Sequence, residues 1–338
     1  MNNEQAKLSI TSSPHILTKR TTRGIMLDVV IAMLPAAVMS VVYFGYRSAV
    51  LICVCVASCV VFEGLWCYFR KSPIMVKEIS CVVTGMLIAF NLPAGFPIWQ
   101  AIIGCFFAII VVKQLFGGLG TNYVNPALAA RVVLALSFST SMTAYSFPFG
   151  EADAAAGASA AGATMAGATA GASVDAVASA TPLSLMGANN VDGLTLWELF
   201  SGAHGGVLGE TCAIALLAGG LYLVVRKVIT PTIPVSYIAV TILFSWIFGC
   251  EYPIHAALSG GLVLGAVFMA TDYTTSPYTE PGKLIFGVGC GLLTALIRSY
   301  GSSTEGVSYA LLFMNLMVSF INDLVRRKPF GVGGKRNA

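Results

Sequence analysis

Three carboxylates lie in or at the edges of long apolar runs of this sequence: Asp28, Glu63 and Asp272. An unpaired carboxylate is costly inside a bilayer, so such a residue normally faces a bundle interior or water, as a hydrogen-bond partner or a step of an ion path. Arg23 is an interfacial partner for Asp28, and Asp272 ends an apolar run, where it caps a helix or pairs with a basic residue. Glu63 lies further inside, on the helix face of Cys59, and both a structural and an ion-coupling role are open for it.

Thiols and imidazoles are the other groups that could carry chemistry. No Cys-x-x-Cys pair occurs among the nine cysteines, all of which lie in or next to apolar stretches: Cys53, Cys55, Cys59, Cys67, Cys81, Cys105, Cys212, Cys250 and Cys290. We interpret them as small, polarizable packing residues, although Cys55 and Cys59 share a helix face and keep a metal or cluster role open. The three histidines are too scattered to predict a metal site, and we predict no catalytic residue.

One polar segment, residues 175–183, reads Asp-Ala-Val-Ala-Ser-Ala-Thr-Pro-Leu. It presents hydroxyl groups among small residues and ends at a proline, a composition that is typical of turns. By itself the segment predicts only an exposed hydroxyl in a turn.

The composition of the whole chain defines the environment of these groups. Of 338 residues, 57% are hydrophobic and only 10% are charged, against roughly 25% charged in a soluble domain. Such a chain is a membrane protein, with no room for a separate soluble domain of ordinary size. The net charge of +4 forms no basic, aromatic-interleaved patch, which argues against nucleic-acid binding. The first apolar run is long and lacks a cleavage site, so we expect it to stay as a membrane anchor.

Hydropathy predicts ten membrane spans. The third, seventh and eighth are short or contain Gly and Pro, which favours broken or re-entrant helices. The backbone groups freed at such a break must be hydrogen-bonded by other parts of the protein or must line a cavity. The ten ranges are 25–45, 48–69, 74–92, 98–116, 126–147, 207–226, 234–250, 254–271, 283–300 and 306–324.

Basic residues fix the orientation of these spans, because they stay on the cytoplasmic side during insertion. Seventeen Lys and Arg residues, including Lys113, Arg131 and Lys283, fall on one side, and only Arg47 and Arg298 fall on the other. Both termini are therefore predicted to be cytoplasmic. The chain divides into a cytoplasmic segment (1–24), a membrane half (25–147), an external loop (148–206), a second membrane half (207–324) and a cytoplasmic tail (325–338).

The predicted external loop contains five acidic and no basic residues, and positions 151–180 include 15 Ala and 4 Gly. This low-complexity stretch has too little bulk to build a core, so we expect it to act as a mobile tether for the polar segment at its end.

Four ordered motifs, together with segment 175–183, give the chain a resemblance to a known family. They are residues 113–127 (Lys-Gln-Leu-Phe-Gly-Gly-Leu-Gly-Thr-Asn-Tyr-Val-Asn-Pro-Ala), 265–272, 282–287 and 296–301. The chain resembles, from about residue 12 to 324, the D subunits of Rnf ion-translocating ferredoxin:NAD oxidoreductase complexes. The resemblance implies an all-α polytopic protein of two five-helix inverted repeats in the cytoplasmic membrane. A short pattern, Lys-x-x-Phe-Gly at 113–117 and again at 283–287, is compatible with such repeats.

In that family the external loop carries a flavin mononucleotide (FMN) joined through its phosphate to a threonine, which a flavin transferase attaches. The matching residue here is Thr181. The attachment motif around it comprises Asp175, Ser179, Ala180, Pro182 and Leu183, with Ser179 and Ala180 where the family often has a glycine. Thr164 and Thr169 also follow alanines, but neither has the upstream acid or the Pro-Leu that comes after Thr181.

The resemblance also implies partners. Electrons would pass from ferredoxin through other Rnf subunits (A, B, C, E and G) and external flavins to NAD, coupled to movement of Na⁺ or H⁺. The sequence has neither a dinucleotide-binding glycine pattern nor ferredoxin-type Cys spacing, so ferredoxin and NAD are expected to bind partner subunits. A second, noncovalent flavin, riboflavin, is implied by the related sodium-pumping quinone reductases, but the sequence names no residues for it.

Two alternatives stay open at this point. One is the B subunit of a sodium-pumping NADH:quinone oxidoreductase, which normally has a longer cytoplasmic N-terminal segment than the 24 residues predicted here. The other is a redox-free channel or transporter, which broken spans and internal repeats would also suit.

Overall fold

The computed structural model describes residues 21–71, 79–145, 196–202, 204–210, 212–301 and 306–325. The described residues form thirteen helical segments and no β-strand. They are α1 (Thr22–Phe44), α2 (Tyr46–Arg70), α3 (Ser80–Phe90), α4 (Ile98–Phe106, continued as a π-helix over Phe107–Gln114), α5 (Pro126–Ser137), α6 (Ser139–Met142), α7 (Leu196–Ser201), α8 (Ala213–Val225), α9 (Thr232–Ile247), α10 (Pro253–Leu258), α11 (Leu262–Leu264, continued as a π-helix over Gly265–Met269), α12 (Glu280–Tyr300) and α13 (Gly306–Leu324).

Each of the ten predicted spans contains helix, and the all-α expectation is confirmed. Four helices, α1, α2, α12 and α13, are long and apolar enough to cross a membrane. The others are shorter than their apolar runs. For example, α3 has 11 residues because Asn91, Leu92 and Pro93 end it, and α5 has 12 because the chain turns at Phe138.

The interrupted spans agree only partly with the sequence prediction. The eighth is broken at residues 259–261, between α10 and α11. The seventh, α9, is short but uninterrupted, since Pro234 falls in its first turn, where a proline removes no helical hydrogen bond. The repeated Lys-x-x-Phe-Gly pattern does not mark equivalent positions, because Lys113 lies at the end of α4 and Lys283 in the first turn of α12. The inverted-repeat relation therefore stays a prediction.

Small residues let helix backbones approach closely, both between the two halves of the chain and within the second half. Helix α1 packs against α8, and α12 packs along α9. In α12, Gly291 lies close to the carbonyl of Tyr237, whose hydroxyl forms a 2.7 Å hydrogen bond with Thr294 Oγ1. Small residues at helix crossings are the usual means of close packing in membranes, where lipid provides no hydrophobic drive for association.

Gly219 of α8 makes the closest of these approaches to a backbone atom, and its replacement is expected to be destabilising. A Cβ there would overlap the carbonyl oxygen of Ala32 in α1. Gly219→Ala should therefore push the two helices apart and cost about 1–3 kcal/mol of stability. Gly64→Ala is the matched control, since nothing lies within 4 Å of a Cβ at Gly64, and alanine favours helix by up to about 1 kcal/mol. Thermal unfolding in detergent should show a lower midpoint for Gly219→Ala alone; equal shifts in both variants would contradict the close packing.

Candidate functional site

A fully buried ion pair lies where α2, α3 and the end of α4 meet. The Lys113 ammonium donates to both carboxylate oxygens of Glu63, at 3.0 and 2.8 Å, and to the Ser80 hydroxyl at 2.8 Å. The side chains of Lys113 and Glu63 are 3% and 0% exposed. An ammonium group has three donors, and all three are used here.

The local sequence explains how these side chains are brought together. Glu63 belongs to a buried stripe on α2, with Leu51, Cys55, Cys59 and Cys67 at steps of four residues. Positions four apart lie on one helix face, so the stripe turns Glu63 into the protein rather than toward lipid. Ser80 begins α3, and Lys113 lies in the wider π-helical turn that ends α4.

A second buried ion pair involves the middle of α5. Arg131 Nη2 lies 3.2 Å from Glu210 Oε1, and Nη1 donates to Asn91 Oδ1 at 2.6 Å. The two charged side chains are 5% and 4% exposed. Asn91 caps the end of α3 and also donates to the Leu87 carbonyl.

These two pairs correct the sequence analysis, which treated Lys113 and Arg131 as cytoplasmic anchors. Both side chains are buried inside the protein, and each is paired with a carboxylate. The signal that could have revealed them was their position, since Lys113 falls inside the predicted span 98–116 and Arg131 inside 126–147. A basic residue within a span is normally paired in the bundle interior.

Asp28 has a basic partner, but this partner is Arg226 rather than the predicted Arg23. Arg226 Nη2 lies 3.1 Å from Asp28 Oδ1, and the Tyr222 hydroxyl donates to the same oxygen at 3.2 Å. Arg226 follows α8, so this contact joins α1 to the second half of the chain. Its guanidinium is 56% exposed, and such an exposed pair contributes little to stability.

Asp272 caps the turn that follows the broken eighth span. One of its oxygens accepts from the hydroxyls of Thr274 and Thr275, at 3.2 and 3.3 Å. Desolvation by the surrounding loop raises the pKa of Asp272 above its ordinary value, because the hydrogen bonds from the threonines compensate it only in part. Asp272 thus stabilises a turn, where a helix cap or a basic partner was expected from the sequence. A role for Asp28, Glu63 or Asp272 in an ion path stays a prediction.

Between the two halves of the chain lies a cavity of about 300 Å³. The cavity borders the N-terminal parts of α1 and α3, the loop before α5, the end of α8 and the segment after α11. Lys113 and Asp272 are both among its lining residues. Its walls are apolar along α3 and Phe268, with polar groups interspersed. The lining includes Met26, Val29, Ser80, Val83, Thr84, Leu87, Lys113, Asn122, Asn125, Leu223, Phe268, Asp272 and Tyr273.

The cysteines are mainly packing residues in the described part of the chain. Seven are buried, Cys250 is half-buried and Cys53 is exposed. The Cys105 thiol faces the carbonyl of Cys55 at 3.6 Å. Across the described ranges, no three Cys, His, Asp or Glu side chains are placed to hold a metal ion.

The predicted flavin-attachment residues fall outside the described residues. These are Asp175, Ser179, Ala180, Thr181, Pro182 and Leu183, together with the competing Thr164 and Thr169. The attachment therefore stays a prediction.

The architecture defines an all-α, polytopic membrane protein with buried ion pairs at the junctions of its short and broken helices. The chain belongs to the NQR2, RnfD, RnfE family, whose model matches residues 9–331. This is the family that the four motifs and segment 175–183 indicate.

Curated relatives cover almost the full chain. The D subunit of the Na⁺-translocating ferredoxin:NAD⁺ oxidoreductase complex of Acetobacterium woodii is 40% identical over 97% of this chain and 96% of its own length. The D subunit of the proton-translocating ferredoxin:NAD⁺ oxidoreductase complex of Clostridium ljungdahlii is 36% identical over 96% of each chain. The D subunit of the ion-translocating oxidoreductase complex of Escherichia fergusonii is also 36% identical, over 95% of this chain and 98% of its own.

Proposed function

We propose that this chain is the D subunit of a membrane complex that couples electron transfer between ferredoxin and NAD to the translocation of Na⁺ or H⁺. The observation that carries the proposal is the full-length similarity to D subunits of such complexes. Relatives named for Na⁺ and for protons have similar identity, so the name of a relative does not choose the ion. The subunit would act as an electron relay, with ferredoxin and NAD bound by the partner subunits A, B, C, E and G.

The orientation proposed is that of a multi-pass protein of the cytoplasmic membrane, with both termini cytoplasmic and residues 148–206 external. Burial of Lys113 and Arg131 removes two residues from the cytoplasmic count but leaves its excess large. The positive-inside rule thus still supports this orientation.

The covalent cofactor proposed for this loop is FMN on Thr181. A flavin transferase on the outer side would join the Thr181 oxygen to the flavin phosphate in a phosphoester, displacing the leaving group of an activated flavin nucleotide. The hydroxyl makes a deep pocket unnecessary, because the bond itself retains the flavin. Once bound, FMN supplies exchange between one-electron and two-electron transfer.

The cavity between the two halves is the site that we propose for the noncovalent flavin, riboflavin. Its volume of about 300 Å³ lies at the lower end of the range for small-ligand sites. Val83, Leu87 and Phe268 provide apolar walls for a planar ring, while Thr84 and Asn122 provide polar groups for the edge of the ring. These residues of α3, the loop before α5 and the π-helix after α11 would hold it.

Flavin fluorescence on a denaturing gel tests the redox proposal. The chain is co-expressed with the transferase, denatured and viewed under ultraviolet light, with a culture that lacks the transferase as control. We expect a fluorescent band only when the transferase is present. A dark band in both cultures would instead favour the redox-free transporter, to which the broken eighth span is also suited.

A further inference from the structure

Three pieces of irregular backbone converge on Arg131. Helix α3 has 11 residues and rises about 16 Å at 1.5 Å per residue, roughly half the thickness of a bilayer core. Its end is met by the segment before α8, since Leu208 N–H donates to the Leu92 carbonyl and Gly209 N–H to the Phe90 carbonyl. The break in the eighth span is the third piece. A Cβ at Gly261 would lie 2.8 Å from Glu210 Oε1 and 3.1 Å from Arg131 Nη1.

The cluster of Arg131, Asn91 and Glu210 lies close to the end of the cavity along α3. The cavity follows α3 from Ser80 to Leu87, and Asn91 lies one helical turn further along the same helix. Beyond Asn91 and Arg131 comes Glu210, on the segment that follows the predicted external loop. A cavity and a buried, charged junction thus follow one another along α3, and the junction lies next to the segment that follows the predicted external loop.

The charges of this junction determine which ions it would repel. One guanidinium is balanced by one carboxylate, and the carbonyl end of α3 adds partial negative charge. Removal of the Arg131 charge would leave a buried carboxylate beside a negative helix end, which attracts cations. Charges a few ångströms apart interact by several times RT even at an effective dielectric constant of about 20.

We propose that Arg131, held by Asn91 and Glu210, is a cation barrier that closes the junction between the cavity and the outer side of the membrane. A redox-driven pump cannot hold a gradient across a subunit that leaks the pumped ion, so the barrier is a requirement that goes beyond the relay function. The proposal does not depend on a bound flavin. It also separates this chain from a redox-free channel, which would conduct in its unaltered form.

Cation flux through the full-length chain in liposomes tests the barrier. Na⁺ uptake and dye-reported H⁺ uptake are measured under an imposed potential, with chloride flux as the control for general damage. We expect Arg131→Gln to raise cation flux roughly tenfold or more, because it unmasks the Glu210 charge, and to leave chloride flux unchanged. Glu210→Gln keeps the positive charge at the junction and should show the same low cation flux as the unaltered chain.

Several outcomes overturn the proposal. The first is an Arg131→Gln chain with the same cation flux as the unaltered chain. The second is an Arg131→Gln chain in which chloride flux rises as much as cation flux. The third is a Glu210→Gln chain with the same raised cation flux as Arg131→Gln. Because Arg131→Gln leaves a buried carboxylate unpaired and could fail to fold, the double variant Arg131→Gln with Glu210→Gln provides a second test. It should leak cations more than the unaltered chain and less than the single variant; flux at the unaltered level would also overturn the barrier.

Discussion

The Thr181→Ala chain is expected to give a dark band on a denaturing gel, whereas the unaltered chain, made with the same transferase, fluoresces. Alanine lacks the hydroxyl oxygen that would accept the flavin phosphate, so the loss should be complete rather than graded. Mass spectrometry of the intact chain should show the same result, as the disappearance of the mass of one FMN.

Thr164→Ala and Thr169→Ala are the matched controls for Thr181. Both threonines follow an alanine in the same predicted loop, but neither precedes Pro-Leu. These variants should keep full fluorescence. If Thr181→Ala stays fluorescent while one of them turns dark, the attachment site is wrong even though the redox function survives.

Breaking the Glu63–Lys113 pair is the second change with a large expected effect. Glu63→Gln leaves an ammonium group buried beside a neutral amide, and the loss of one partner of a buried pair typically costs about 3–5 kcal/mol. We therefore expect a lower yield of folded protein and a much lower midpoint of thermal unfolding in detergent.

An exposed ion pair provides the control for Glu63. Glu280 pairs with Lys283 at 2.8 Å, but its side chain is 58% exposed, so Glu280→Gln should change stability by at most about 1 kcal/mol. The double variant Glu63→Gln with Lys113→Met removes both buried charges and should recover much of the loss. Equal stability of Glu63→Gln and the unaltered chain would contradict a structural role for the pair.

The sequence predicts the positions of the spans better than their lengths. Apolar composition identifies a run such as 74–92, yet α3 begins only at Ser80 and ends at Phe90, because Asn91 turns its side chain toward Arg131 and Pro93 follows. Hydropathy averages over such a run and does not register a capping amide. The residues after Asn91, among them Leu92, Ala94 and Phe96, are apolar because they pack inside the protein.

The partners of the buried charges were beyond sequence reasoning for a different reason. Lys113 and Glu63 are 50 positions apart, and Asp28 and Arg226 are 198 apart. Their meeting depends on how α2, α3 and α4, and α1 and α8, pack together, and no local pattern encodes those contacts. The sequence does identify the carboxylates themselves, since a charge inside an apolar run needs a partner.

The most direct test of the central claim is the side of the membrane on which residues 175–183 lie, because the flavin can be attached to Thr181 only on the outer side. Ser173→Cys introduces a thiol next to this segment, and Ser72→Cys introduces one in the predicted cytoplasmic connection. A membrane-impermeant maleimide is applied to intact cells and to inverted vesicles, with the unaltered chain measuring labelling of the native cysteines. We expect Ser173→Cys to be labelled in intact cells and Ser72→Cys to be labelled only in inverted vesicles. Labelling of Ser173→Cys only in inverted vesicles would contradict the central claim.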